Sequence, residues 1–395
     1  MHAHALRADH VELADIVRAH AGPLTGLNAA QRQVLQAITE CRTAVLGGHR
    51  RACAQCGHQE IAYNSCRDRH CPKCQGLEAV RWMDAQQRDL LPVPYFHVVF
   101  TVPPELHDFF LAAPKATYPL LFAAVAETLT QVALRRLGAK IAVTAILHTW
   151  TQLLLFHPHI HCIVPGGGLD PTHTHWISAR ADFFLPVRVL AEVFRGKLLA
   201  KLEAAIDRAT IPARRDENPH DRLKRAATKR WVVYCKPPFA GPDQVLAYLA
   251  RYTHRIALSN DRLVSLHEGQ VTFRWKDRAN GNAPRVATLE AEAFLRRFLL
   301  HVLPARFVRI RHYGWLANSA RKRLLPKVRE VLTPAAPVAQ TPAPVEPETW
   351  EATLFRLTGK DVTRCPCCGA AGFLIVEALP ARAEPRNFPW RDRSP

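Results

Sequence analysis

Apolar positions recur every three or four residues through 8–46, at Val11, Leu13, Ile16 and Val17 and again at Val34, Leu35 and Ile38. That is the period of amphipathic helices, and it breaks at Gly22-Pro23. A turn-rich stretch follows to about residue 76. Residues 95–102 form a β-rich run that stops at Pro103-Pro104, and 105–137 reads as one long helix. Two further runs, 141–149 and 159–164, read as neighbouring strands across a short turn, the central hairpin of an antiparallel sheet. Beyond it the pattern predicts a helix over 190–207 despite Gly196, a strand at 231–235 and a helix from about 243. Strands at 271–276 and 307–311 flank a helix over 290–303, and a proline-rich linker at 333–348 precedes a short tail. Strands separated by helices, with hairpin-style connections, predict an α+β chain.

A length of 395 residues admits two or three domains, and 48% hydrophobic content supports ordinary cores. Against 34 acidic residues stand 53 Lys and Arg, a net charge of +19. An excess of that size points to a polyanionic partner, and the basic stretch 208–230 reads as a mobile excursion facing it. Eleven cysteines is an odd number, and five of them lie between Cys53 and Cys74. Their CxxC spacing favours metal binding in a reducing compartment over a disulfide framework. The first residues lack the apolar core of a signal peptide, and the apolar stretch 116–134 is interrupted by Glu127. A buried helix, no membrane role and a cytoplasmic location are expected.

Cys53-x2-Cys56 and Cys71-x2-Cys74 offer two knuckles of two thiolates each. They are read as one tetrahedral zinc site, one ion per chain, with Cys66 as a possible substitute. Arg67, Arg69, His70 and Lys73 stud the same module, which is therefore expected to touch DNA as well. Cys365-x2-Cys368 in the tail supplies half a site with no second pair after it.

In His-Pro-His-Ile-His, strand alternation puts His159 and His161 on one face, with His157 at the strand edge. Two imidazoles there could hold one divalent ion, Mg²⁺ or Mn²⁺, beside water and a phosphate oxygen. A third ligand is needed; Gln152 just before the hairpin turn is the candidate, with His148 and His254 as rivals. Tyr248 and Tyr252, four apart on a predicted helix, share a face. Arg251, His254 and Arg255 interleave with them, and cations stabilise phenolate and attract phosphate. A metal beside paired phenols suits attack on a phosphodiester with a covalent phosphotyrosine intermediate. Arg309 and Arg311, close to Trp315, add the mixture of cations and aromatics that suits single-stranded DNA.

These stretches (53–76, 97–104, 152–168, 248–260 and, more weakly, 311–320) resemble the His-hydrophobic-His (HUH) superfamily of single-strand endonucleases. Within it they look like the two-tyrosine transposases of bacterial rolling-circle insertion sequences. The resemblance implies a zinc-ribbon-like module at 49–92 after a helical segment at 1–48. It implies an HUH nuclease domain at 93–330 with a central antiparallel sheet flanked by helices, then the linker (331–348) and the tail (349–395). It also implies cleavage and rejoining of single-stranded or hairpin DNA through 5′-phosphotyrosine on Tyr248 and Tyr252. Oligomers are possible. A plasmid replication initiator or relaxase would share the chemistry, and a non-enzymatic zinc-dependent regulator would share the basic, cysteine-rich module. A GxxxxGK[ST] phosphate loop is absent, as expected where the phosphotyrosine conserves the bond energy.

Overall fold

The computed structural model describes residues 11–74, 82, 86–180, 182–212, 217–236, 257–277, 280–332, 349–358 and 361–382. Helices α1 (Leu13–His20) and α2 (Ala29–Glu40) stand on either side of Gly22-Pro23. A capping box starts α2: Asn28 Oδ1 accepts from Gln31 N at 2.9 Å, and Gln31 Oε1 accepts from Asn28 N at 3.0 Å. Strands β1 (Gly48–Cys53) and β2 (Gln59–Tyr63) form a hairpin, and β3 is Tyr95–Thr101.

The single helix expected over 105–137 is two, α3 (His107–Ala112) and α4 (Pro114–Leu137). Pro114 has no N–H to continue α3, and it drives Ala113 out of the helical region to φ −134°, ψ 58°. The same proline then opens α4 at a position where a missing N–H costs nothing.

Five antiparallel strands make the main sheet in the order β12-β4-β5-β3-β8. They are β3, the hairpin β4 (Val143–Trp150) and β5 (Phe156–Pro165), β8 (Val233–Lys236) and β12 (Ile310–Tyr313). Alternation gives the sheet two unlike faces. Phe96, Val98 and Phe100 of β3, Ile160, Cys162 and Val164 of β5, and Ala145 and Leu147 of β4 share the apolar face and are all buried. Helices α4 and α5 (Val187–Asp207) cover it, with Phe194 of α5 meeting Phe100 edge-on at 5.1 Å. The Phe, Val, Ile and Leu side chains among them contribute about 1.5–3 kcal/mol each on burial. The apolar stretch within α4 is thus a core helix, as its composition with Glu127 suggested; Glu127 is paired with Lys197 and Lys201 of α5.

The basic stretch 208–230 is not wholly an excursion. It contains α6 (Pro219–Thr228), capped by Asn218, with Leu223 and Ala226 buried. Arg222 there pairs with Asp108 of α3 at 2.5 Å, so part of its charge is spent on the fold.

The glycine triplet after β5 is a packing requirement. It leads through β6 (Gly167–Leu169) to β7 (Trp176–Ser178), and a Cβ on Gly168 would sit 2.5 Å from the Lys140 carbonyl oxygen. A second sheet, β11-β10-β9, is formed by β9 (Leu263–His267), β10 (Gln270–Asp277) and β11 (Ala283–Glu290). It packs on α7 (Ala291–Leu299) through Phe273 and Phe294. Helices α1 and α2 join this unit: Leu13 N donates to Asn260 Oδ1 at 3.2 Å and Gln31 Nε2 to the Leu299 carbonyl at 3.1 Å.

After α8 (Asn318–Leu332), the described chain resumes at α9 (Trp350–Thr358) and ends with β13 (Phe373–Leu379). The tail, expected as a separate segment, returns to the N-terminal module. There β13 pairs with β1 from Cys53↔Phe373 to Gly48↔Leu379, giving a sheet of order β13-β1-β2.

Candidate active site and metal centres

The second face of the main sheet carries the histidines. His148 of β4 lies opposite His159 of β5, and His161 follows two residues on. One ring nitrogen from each of the three lies within 4.8 Å of the others. All are buried, at 2%, 8% and 5% exposure. His159 Nδ1 lies 2.6 Å from the His157 carbonyl oxygen; a proton donated there leaves the Nε2 lone pair available. His97 of β3 meets His161 at 2.7 Å, Nε2 to Nδ1, and their rings stack at 5.0 Å. That contact orients His161 as a carboxylate or carbonyl would. Trp150 stacks on His148 at 4.5 Å.

The third imidazole beside His159 and His161 is His148, the rival to Gln152. Gln152 sits in the hairpin turn, where its carbonyl accepts from Arg262 Nη2. His97 had no assigned role, although strand parity (97, 99, 101 facing 163, 161, 159) would have put it on this face. Three neutral imidazoles fit a divalent ion with coordination positions to spare, and of the two ions expected, this nitrogen set suits Mn²⁺ better than oxygen-seeking Mg²⁺.

Tyr248 and Tyr252, with Arg251, His254 and Arg255, lie outside the described residues. The described chain before them ends on the main sheet, and the chain after them contacts the turn of the β4–β5 hairpin. On one side Lys236 of β8 pairs with His97. On the other, the Ala257 carbonyl accepts from Arg262, which also holds the Gln152 turn.

Two of the expected DNA contacts are internal. Trp315 is 3% exposed, packed with Leu91, Ala142, Leu324 and Val328, so its ring has no face for a base. Arg309 is buried too, its guanidinium 6.0 Å from the Trp150 ring; burial, with nearby Arg69 assisting, pushes it down to about 9. Half-buried Arg311 stands over Phe122 at 4.4 Å. Lys73 is held by Glu12 at 2.5 Å. Arg67 and Arg69 are exposed, Arg69 donating to the Phe307 carbonyl at 2.5 Å. His70 is a buried strut, in contact with Asp68 through Nδ1 at 2.9 Å while Nε2 accepts from Leu303 N at 3.2 Å.

The single centre of Cys53, Cys56, Cys71 and Cys74 does not form. Cys71 and Cys74 gather instead with Cys41 and Cys66, and Cys53 and Cys56 gather with Cys365 and Cys368. The hairpin β1–β2 separates the two knuckles, so they cannot converge. Cys41 was overlooked because it stands alone, at the C-cap of α2. Sulfur separations of 3.5 Å (Cys41–Cys74 and Cys66–Cys74) are near the ~3.8 Å edge of a zinc–thiolate tetrahedron with ~2.3 Å bonds. Cys66 is therefore a full member of its cluster.

A strongly basic α+β chain with tetracysteine clusters and a buried imidazole triad has the make-up of a zinc-bearing DNA-processing protein. Residues 142–323 match the family described as "Putative transposase", and residues 13–102 match the "Transposase zinc-binding domain" of IS91 type. The chain is 47% identical over 380 residues to "Putative transposase y4qJ" of Sinorhizobium fredii, covering 93% of this chain and 95% of that one. It is 29% identical over 356 residues to "Transposase for insertion sequence element IS801" of Pseudomonas savastanoi pv. phaseolicola, covering 87% and 83%. No solved structure matches the chain. The chain belongs to the IS91-type transposases that carry a zinc-binding domain.

Proposed function

We propose that this transposase moves its element by rolling-circle strand transfer in the cytoplasm, with Tyr248 and Tyr252 as nucleophiles on single-stranded or hairpin DNA ends. A tyrosine oxygen gives up its proton as it attacks the scissile phosphorus, the P–O3′ bond breaks, and the freed 3′-oxygen takes up a proton to become a hydroxyl. In the reverse step a 3′-hydroxyl attacks the phosphotyrosine, and the tyrosine oxygen leaves. His148, His159 and His161 would hold the divalent ion, Mn²⁺ or Mg²⁺, which would draw charge from a phosphate oxygen. His97 and the His157 carbonyl keep two of those rings oriented. Exposed Arg67 and Arg69, with Arg251 and Arg255, supply phosphate contacts.

The observation that carries this reading is the buried triad of His148, His159 and His161 on one sheet face, with Lys236, the last described residue before the tyrosines, in register with His97 on the same sheet. The relatives' names favour transposition over plasmid nicking and over a non-enzymatic regulator. Incubation with a single-stranded oligonucleotide bearing the element's end should link the protein to the 5′-phosphate side of the cut, with the adduct on Tyr248 or Tyr252. Either Phe variant can still nick, while the double variant should form no adduct yet remain folded and DNA-bound. An adduct that persists in the double variant, or maps to Ser or Cys, overturns the two-tyrosine reading.

A further inference from the structure

We infer that Cys53, Cys56, Cys365 and Cys368 form a second structural zinc site, which clamps the C-terminal tail onto the N-terminal module. The two pairs have the same local build. In the first, Cys53 N donates to the His58 carbonyl at 2.8 Å and Gly57 N to the Cys53 carbonyl at 3.0 Å. In the second, Cys365 N donates to the Ala370 carbonyl at 2.8 Å and Gly369 N to the Cys365 carbonyl at 2.9 Å. Each is a CxxCG turn closed by a glycine at positive φ, +69° at Gly57 and +74° at Gly369. Two such knuckles facing each other are the two halves of a zinc ribbon, here drawn from opposite ends of the chain.

The sulfur geometry agrees. Cys53 and Cys368 are 3.7 Å apart and Cys56 and Cys365 3.6 Å, with all four sulfurs within 4.8 Å of one another. These separations suit a zinc tetrahedron with an edge of ~3.8 Å and exceed a ~2.05 Å disulfide bond. Contacts other than those between the sulfurs support the same join. Besides the β1–β13 pairing, Ala54 N donates to the Gly372 carbonyl at 3.2 Å, and Arg50 meets Glu377 at 2.5 Å. Cys367 lies between the two tail ligands yet is exposed and outside the cluster, which makes it an internal control.

The full chain should therefore contain two zinc ions, one in each tetracysteine cluster. Cys365→Ser/Cys368→Ser and Cys53→Ser/Cys56→Ser should each fall to one. The quadruple variant should also stay at one, because both pairs share an ion; Cys367→Ser should keep two. Independently of any variant, alkylation of the zinc-loaded protein, mapped by mass spectrometry, should spare Cys53, Cys56, Cys365 and Cys368. Chelation should then expose all four while Cys367 reacts throughout. Two zincs retained in the Cys365→Ser/Cys368→Ser protein, labelling of Cys365 as fast as Cys367, or a non-reduced mass lighter by two hydrogens from a disulfide would each overturn the site.

Discussion

His159 can offer Nε2 only because its Nδ1 is occupied by the His157 carbonyl, and His161 is steered in the same way by His97. The residue-scale consequence is that His148 and not Gln152 should behave as the third ligand. His148→Ala should lower strand cleavage by about 10²-fold or more while leaving DNA affinity within about twofold, since affinity rests on the cations. Gln152→Ala should cleave nearly as the parent does. Equal losses in both variants, measured by single-turnover cleavage with Mn²⁺, would return the role to Gln152. Trp315 belongs to the fold: Trp315→Ala should cost about 3–5 kcal/mol in urea unfolding with no selective loss of single-stranded DNA binding. His301 gives a pH signature. Burial, partly opposed by its contact with the Leu154 carbonyl, pushes it down to about 4, whereas the unfolded chain titrates it near 6.5. The unfolded state therefore binds more protons between these values. This group's share of stability is complete above pH 6.5 and is lost as pH falls toward 4, about 3 kcal/mol in all. His301→Gln should flatten the stability–pH slope in that window; an unchanged slope would remove His301 as its source.

At the element scale, periodicity read the β4–β5 hairpin to within a few residues, because a strand with one face on a core must alternate. It merged α3 with α4, where one missing N–H at Pro114 outweighed a continuous apolar pattern. It passed over α6, which is held by a cap, two buried residues and the Arg222–Asp108 pair, without a long apolar stripe. The glycine triplet after β5 serves close backbone approach. Gly168→Ala should cost about 1–3 kcal/mol, seen as a lower urea midpoint, because the opposing atom is main chain and cannot swing aside. A midpoint equal to the parent's would mean the Lys140 backbone yields freely.

For the whole molecule, the +19 charge should dominate DNA affinity. If six to ten phosphates are neutralised, binding should weaken by about 10³–10⁵ between 50 and 200 mM salt, with a linear log–log dependence. A slope near zero would contradict an electrostatic interface. Part of the cationic set is already committed internally, Arg309 by burial and Arg222 and Lys73 by ion pairs, so fewer charges face DNA than the composition suggests.

Residue identities and local spacing were enough to determine the α+β class, the basic character, a cysteine-rich zinc-binding module and the placing of His159 with His161 on one strand face. Each of these is a matter of composition or of a period of two to four residues, which the backbone enforces wherever the strand or helix forms. Partnership over long separations was decided by the tertiary structure. CxxC spacing shows that two sulfurs can share an ion but not which distant pair completes it, and the chain joined Cys53 to Cys368 across the whole molecule. In the same way, strand register brought His148 opposite His159 and His97 against His161, and burial turned Trp315 inward. Register, chain reversal and burial depend on how separate elements pack, which is why they came only with the folded chain.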